Sequence, residues 1–136
     1  MATQVLTDAF FSFTAVDLSD HTVGVSSNYM AELLDDTAMG DTTRSRIGGL
    51  KDWEFTVTLH ADEASSSVHQ TLFPLVGTTG TVIFRPVNTG GVGATNPNYT
   101  GTAILENCPP LTGNVGELHT ISVTFRAAGA LSRATL

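Results

Sequence analysis

The side chains in this sequence that suit metal, acid-base or nucleophilic chemistry are few and scattered: four histidines, one cysteine and a modest set of carboxylates. His21, His60, His69 and His119 show no H-x-x-x-H or H-E-x-x-H spacing, and Cys108 is not near any of them in sequence, so a zinc site would need distant residues brought together. Isolated surface or half-buried histidines are the simpler reading. Asp35, Asp36 and Asp41 superficially suggest a calcium loop, but the alternating oxygen ligands and terminal Glu are missing. They read better as solvated loop charges or intersubunit ion pairs. No G-x-S-x-G nucleophile turn occurs, and Cys108, ahead of Pro109-Pro110, reads as a structural thiol at a strand exit. Gly90-Gly91-Val92-Gly93 hints at a phosphate cradle, yet no G-x-x-x-x-G-K-[ST] or G-x-G-x-x-G is present. Asn98-Tyr99-Thr100 matches a glycosylation sequon, which matters only on a secretory route. The sequence therefore predicts no catalytic site, no metal, no cofactor and no enzyme.

Composition narrows the class further. The 136 residues suit one domain over 1–136 with a real core. Thirteen acidic against six basic side chains, net -7, exclude a sequence-independent nucleic-acid clamp, which needs clustered Lys and Arg to neutralise phosphates. A single cysteine cannot close an intramolecular disulfide. The N-terminal MATQVLTDAFFSF lacks a basic leader, and no run reaches the roughly 18 apolar residues of a membrane span. A soluble, leaderless protein without membrane binding is expected, made inside the cell. Only 14% of residues are charged, against about 25% in ordinary soluble domains, so the surface must be rich in Thr, Ser, Gly and apolar groups. Self-assembly, which hides exterior, and a Thr- and Ser-rich secreted-type β domain both fit that deficit.

The elements that would position these residues are mostly strands. Trp53, Phe55, Val57 and Leu59 alternate with Glu54, Thr56, Thr58 and His60, and Ile121, Val123, Phe125 and Ala127 alternate with Ser122, Thr124 and Arg126. Both patterns predict half-buried antiparallel strands. Shorter candidates are Ala9 to Asp17, Val25 to Asp36, Gly80 to Arg85 and Tyr99 to Glu106. Between them, Val68, Leu72, Leu75 and Val76 recur at helical spacing behind Asp62-Glu63, with Pro74 and Gly77 closing the stretch. That predicts a helix over about Glu63 to Phe73. The expected fold is mainly β: two packed antiparallel sheets, as a sandwich or small barrel, with one flanking helix.

Two long connections stand out. DDTAMGDTTRSRIGGLK, residues 35–51, carries mixed charge and predicts a loop that acts as a contact surface. PVNTGGVGATNPN, residues 86–98, is small, Gly-rich and nearly uncharged, and predicts a flexible or partner-ordered connection.

The order of these features is strand, long loop, strand, Asp-led helix, strand, Gly-rich loop, two strands. With AELLDDTAMGDTTRSRIGGLKDW (Ala31 to Trp53), TLFPLVG (Thr71 to Gly77), VIFRPVN and GATNPNYTGTA within Val82 to Ala103, and VGELHTISVTFRAAGALSRAT (Val115 to Thr135), it resembles the major tail tube proteins of long-tailed, non-contractile bacteriophages over nearly the whole chain. The resemblance implies six copies in a ring, inner sheets joined around a channel, and rings stacked into a tube that conducts DNA into the host cell. Closing sheets across subunits removes open edges, and head-to-tail contacts let a stack grow.

By that resemblance the stacking loop is expected to use Asp35, Asp36, Asp41, Arg44, Arg46 and Lys51 as charges, with Met39, Ile47 and Leu50 supplying apolar contact. The loop is expected to be disordered until docking. An acidic channel wall would repel passing DNA, and Glu54, Thr56 and Thr58, with Glu32 on the preceding strand, are the lumen-facing candidates. The alternative is that these residues meet outside solvent, and a slip of one residue would invert every facing. The implied partners are other copies of the chain, with tail tip, tape measure and terminator proteins, and DNA only as cargo. The implied location is the virion tail, after synthesis in the host bacterial cytoplasm. No appended surface domain is expected after Thr135. The competing readings are a tail terminator or secretion-type tube ring of the same fold, and a monomeric β-sandwich binding module. The last would call for exposed aromatics, whereas Trp53 falls in register with core residues.

Overall fold

A computed structural model describes residues 5–65, 67–88 and 91–135. Seven strands form: β1 (Phe10–Phe13), β2 (Val16–Asp17), β3 (Thr22–Asp35), β4 (Arg46–His60), β5 (Thr79–Arg85), β6 (Asn98–Asn107) and β7 (Thr120–Ala134). All pair antiparallel in the order β2-β1-β5-β6-β7-β4-β3. The mainly β fold is as expected, but the expectation of two sheets is corrected to one hydrogen-bonded sheet of seven strands.

That sheet folds over on itself, as its aromatic contacts demonstrate. β1 and β4 are separated by three strands in the sheet order, yet the rings of Phe11 and Phe55 lie 5.4 Å apart. Phe13 meets Phe125 of β7 at 4.8 Å, and Phe84 of β5 stacks on Phe55 at 4.3 Å. The inner face is the alternation read from the sequence: Trp53, Phe55, Val57 and Leu59 with Ile121, Val123 and Phe125, all buried. Burying side chains of this size stabilises by about 1.5–3 kcal/mol each.

The β1–β2 turn places Thr14 and Ala15 at φ 51° and 68°, the left-handed region, because two residues must reverse strands already twisted to the right. Gly80 makes room for this turn, since a Cβ there would lie 2.5 Å from the Thr14 methyl. Gly101 likewise admits the Trp53 ring, whose Nε1 donates to the Gly129 carbonyl at 2.9 Å.

The helix is shorter than its periodicity suggests. It spans Val68–Leu72 (α1) and tightens into a 3-10 turn over Phe73–Leu75, correcting the expected start at Glu63. Asp62 is the reason: one carboxylate oxygen accepts from the Ala64 N–H at 2.9 Å and the other from the Ser67 hydroxyl at 2.8 Å, so it organises a turn ahead of the helix. Val68 and Leu72 are fully buried in the core cluster.

The Gly-rich connection is also corrected in its described part. Asn96, buried, accepts from Val87 N–H at 2.9 Å and donates to the carbonyls of Val87 and Gly91. Arg85 adds bonds to the Val87 and Asn88 carbonyls and to Asn98 Oδ1. These ties fix a connection that composition presents as flexible. Residues 89 and 90 lie outside the described residues.

Candidate assembly surfaces

The expected contact loop at 35–51 is a loop only over 36–45. Asp35 ends β3 and Arg46 begins β4, directly opposite each other, so Arg46 to Lys51 are strand residues and only 36–45 connect. The result is one long β-hairpin arm, with Ala31 opposite Lys51, Leu33 opposite Gly48 and Leu34 opposite Ile47. A bulge falls between Ala31 and Leu33, where Glu32 faces the extra residue supplied by Gly49 and Leu50.

The arm's tip is hydrogen-bonded rather than loose. Asp36 N–H donates to the Ser45 carbonyl at 3.0 Å, and the Thr37 hydroxyl bridges Ser45. Asp35 accepts from Thr37 N–H at 3.0 Å and from Arg44 at 2.8 Å. The Thr37 bonds, with Arg44 contributing less, hold the Asp35 carboxyl below its ordinary pKa. Asp41 accepts from Ala38 N–H at 2.8 Å, shaping the turn. Two of the three acids assigned to contact therefore act first in folding the tip.

The apolar residues of the arm have nothing to cover them within the described residues. Leu33 is 66% and Leu50 81% exposed, and Tyr29, Met30, Leu34, Met39 and Ile47 are exposed as well. Tyr29, Met30, Leu33 and Leu34 were not among the sequence-derived candidates. Their signal was the run YMAELL, dense in apolar residues but short of partners to bury them.

The second surface is the outer face of the same sheet. Glu54, Thr56 and Thr58 sit opposite Arg126, Thr124 and Ser122, with Thr56 and Thr124 hydroxyls 3.5 Å apart and Thr58 and Ser122 hydroxyls 3.3 Å apart. Alternation along β3 sets Glu32 on this face with Asn28 and Met30, so the four lumen candidates share one side. The sequence reading missed Arg126 and Glu106. Arg126 Nε donates to Glu106 at 2.9 Å and its Nη1 to Glu54, and these carboxylates raise its pKa further. The face is thus a field of hydroxyls and carboxylates.

Side chains with chemical potential remain apart from both surfaces. His21 bridges Asp20 at 3.0 Å and Asp62 at 2.9 Å. Burial opposes its charge, but bonds to Asp62 and Asp20 together outweigh it and raise its pKa. Ser67 lies 3.3 Å from the same His21 nitrogen, but its hydroxyl donates to Asp62, so it is not set up as an activated nucleophile. His69 is buried, its Nδ1 3.1 Å from Glu63 and its ring 6.0 Å from that of His119. Burial pushes the Cys108 thiol up, away from the reactive thiolate. No group of three or more His, Cys, Asp or Glu with metal-binding geometry occurs among the described residues. None of their helices is long and apolar enough to cross a membrane. An apolar groove of about 160 Å³, lined by Phe10, Val25, Phe55, Phe84 and Tyr99, marks the seam where the folded sheet does not close.

No family model matches the chain, and no curated protein matches it in sequence. Solved structures do. A chain of the virion of the native gene transfer agent particle superposes with a TM-score of 0.75 at 15% identity, covering 97% of this chain and 99% of that one. The SPP1 tail tube gives 0.70 at 14% identity over 95% of this chain and 77% of that one. A chain of the anti-feeding prophage baseplate, determined with 6-fold symmetry, gives 0.58 at 12% identity over 98% and 97%. The chain has the tail tube fold.

Proposed function

We propose that this protein is a structural, non-enzymatic subunit of a phage-type tail, forming hexameric rings that stack into a tube for DNA ejection. The observation that carries the reading is the arm: a chain whose fold matches the SPP1 tail tube over 95% of its length also extends a hairpin whose apolar residues have no cover among the described residues. If docked on a neighbouring ring, Leu33, Leu34, Met39, Ile47 and Leu50 would each contribute about 1.5–3 kcal/mol for full burial, whereas Asp35, Asp36, Asp41, Arg44, Arg46 and Lys51 would set register and orientation.

The long edge of β3, unpaired over Thr22–Asp35 among the described residues, supports ring closure, since an edge of this length is a template for another strand. The outer face with Glu32, Glu54, Thr56 and Thr58 then lines the channel, where hydroxyls and carboxylates neither bind phosphate strongly nor trap DNA. Tail tip, tape measure and terminator proteins would be its partners, and the virion tail its location.

Negative-stain electron microscopy over a concentration series, with light scattering for mass, tests the proposal. Hollow tubes of stacked six-fold rings support it. Persistent monomers, even with a tail tip complex as nucleus, sink it. Rings that close but never stack would favour a terminator or baseplate ring, the second reading that the baseplate likeness supports.

A further inference from the structure

We propose that Arg126 is a caged cation: Glu54 and Glu106 occupy its guanidinium so that the polar sheet face offers no free positive charge to a polyanion. The inference rests on reading that face as a channel wall, and deepens it by naming the residues that keep the wall from gripping its cargo.

A guanidinium is the side chain best suited to hold phosphate, because its planar donors match two phosphate oxygens at once. Here two of the three donor nitrogens are committed, so each bidentate fork has lost a member. Nε donates to Glu106 at 2.9 Å, Nη1 donates to Glu54, and Asp52 adds a third negative charge nearby. The sheet register enforces the arrangement. Glu54 is the direct cross-strand partner of Arg126 on β4, and Ile104, two residues before Glu106, is its partner on β6. Arg126 is therefore bracketed from both sides.

Other basic residues do not take over the role. Lys51 pairs with Ala31, one residue out of phase with Glu54 and so on the opposite side of the sheet. Arg133 pairs with Tyr99, on the side of the Phe84–Tyr99 stack. Arg85 is spent on the Val87 and Asn88 carbonyls and on Asn98. Arg44 and Arg46 lie at the far end of the arm. Among the described residues Arg126 is the one Lys or Arg facing Glu54, Thr56 and Thr124, where it also relieves repulsion between the flanking acids.

The test is side-chain NMR of the full chain, below its assembly concentration, titrated with a short DNA duplex. In the parent protein the Arg126 Nε–Hε signal should not move. In Glu54→Gln/Glu106→Gln, which keeps shape and removes charge, it should shift saturably, and the apparent affinity should fall with salt with a slope of about -0.9 per phosphate neutralised. Asp8→Asn/Glu117→Gln, exposed and remote from the face, changes net charge equally and should leave the Arg126 signal still. Movement in that control, movement in the parent, or none in Glu54→Gln/Glu106→Gln would each overturn the cage. The facing of the wall is judged separately, by whether Thr124→Cys in assembled tubes resists a bulky maleimide. The cage and the channel reading can thus fail independently.

Discussion

β3 and β4 make one hairpin with two environments. At its root, Trp53, Phe55, Val57 and Leu59 are buried beneath the folded sheet, while along the arm Leu33, Leu34, Ile47 and Leu50 stay in solvent. Both halves are antiparallel ladder, with one register shift in each, between Thr22 and Gly24 at the root and at Glu32 in the arm. Secondary structure therefore does not separate them. What separates them is whether β1 and β5 lie across from the apolar side chains, as they do at the root and not along the arm. Residues of one chemical type thus hold the monomer together at one end and are left for a partner at the other.

The sharpest way to break this contrast is to truncate both ends. Phe55→Ala should lower the unfolding free energy by about 3–5 kcal/mol in urea titrations. Leu33→Ser/Leu50→Ser should change it by less than about 0.5 kcal/mol yet abolish tubes under the microscope. Equal destabilisation by the two would mean the arm is packed within the monomer, ending the distinction. Next in size, Gly101→Ala would push a methyl to 2.6 Å from the Trp53 ring. A cost of about 1–3 kcal/mol is expected in the same assay, because the root has no slack. Thr14→Asn/Ala15→Gly should stabilise by about 1 kcal/mol, read as a raised urea midpoint at constant slope, since it relieves two left-handed residues.

The smallest effect is in pH. His21, at the covered end of the hairpin, has a pKa raised above 6.5, so its contribution is fully present below that pH and is lost as pH rises through the folded value. Asp62, lowered below 3.8 first by the Ala64 N–H and then by Ser67 and His21, contributes above that pH and loses its contribution as pH falls through the folded value. The clasp is strongest between about pH 4 and 6.5. His21→Gln should flatten the decline of stability from about pH 6 to 8, and an unchanged slope would show that the clasp carries no charge.

Much of the root was legible in the sequence, because period-two alternation over Trp53 to His60 and Ile121 to Ala127 states both the strand and its buried side. The arm was not. Gly48-Gly49, mixed charges and polar turn residues between Asp35 and Lys51 carry no alternation, and what makes Arg46 to Lys51 strand is pairing with Ala31 to Asp35. The cage around Arg126 was hidden for a related reason: Glu54 is 72 residues away, so only register joins them. The helix is shorter than its periodicity predicts because the oxygens of Asp62 serve Ala64, Ser67 and His21 and build a turn ahead of it, contacts that spacing does not reveal.

The bulge at Glu32 has a mechanical meaning. Ladder hydrogen bonds run across the strands, so a pull along the hairpin loads many of them together in shear, and from Tyr29 back to Val25 that ladder is unbroken. At Glu32 the ladder skips, and the small Gly49 stands opposite. Bending and torque applied at the tip will concentrate there, giving a stiff root, a compliant joint and a short lever beyond it.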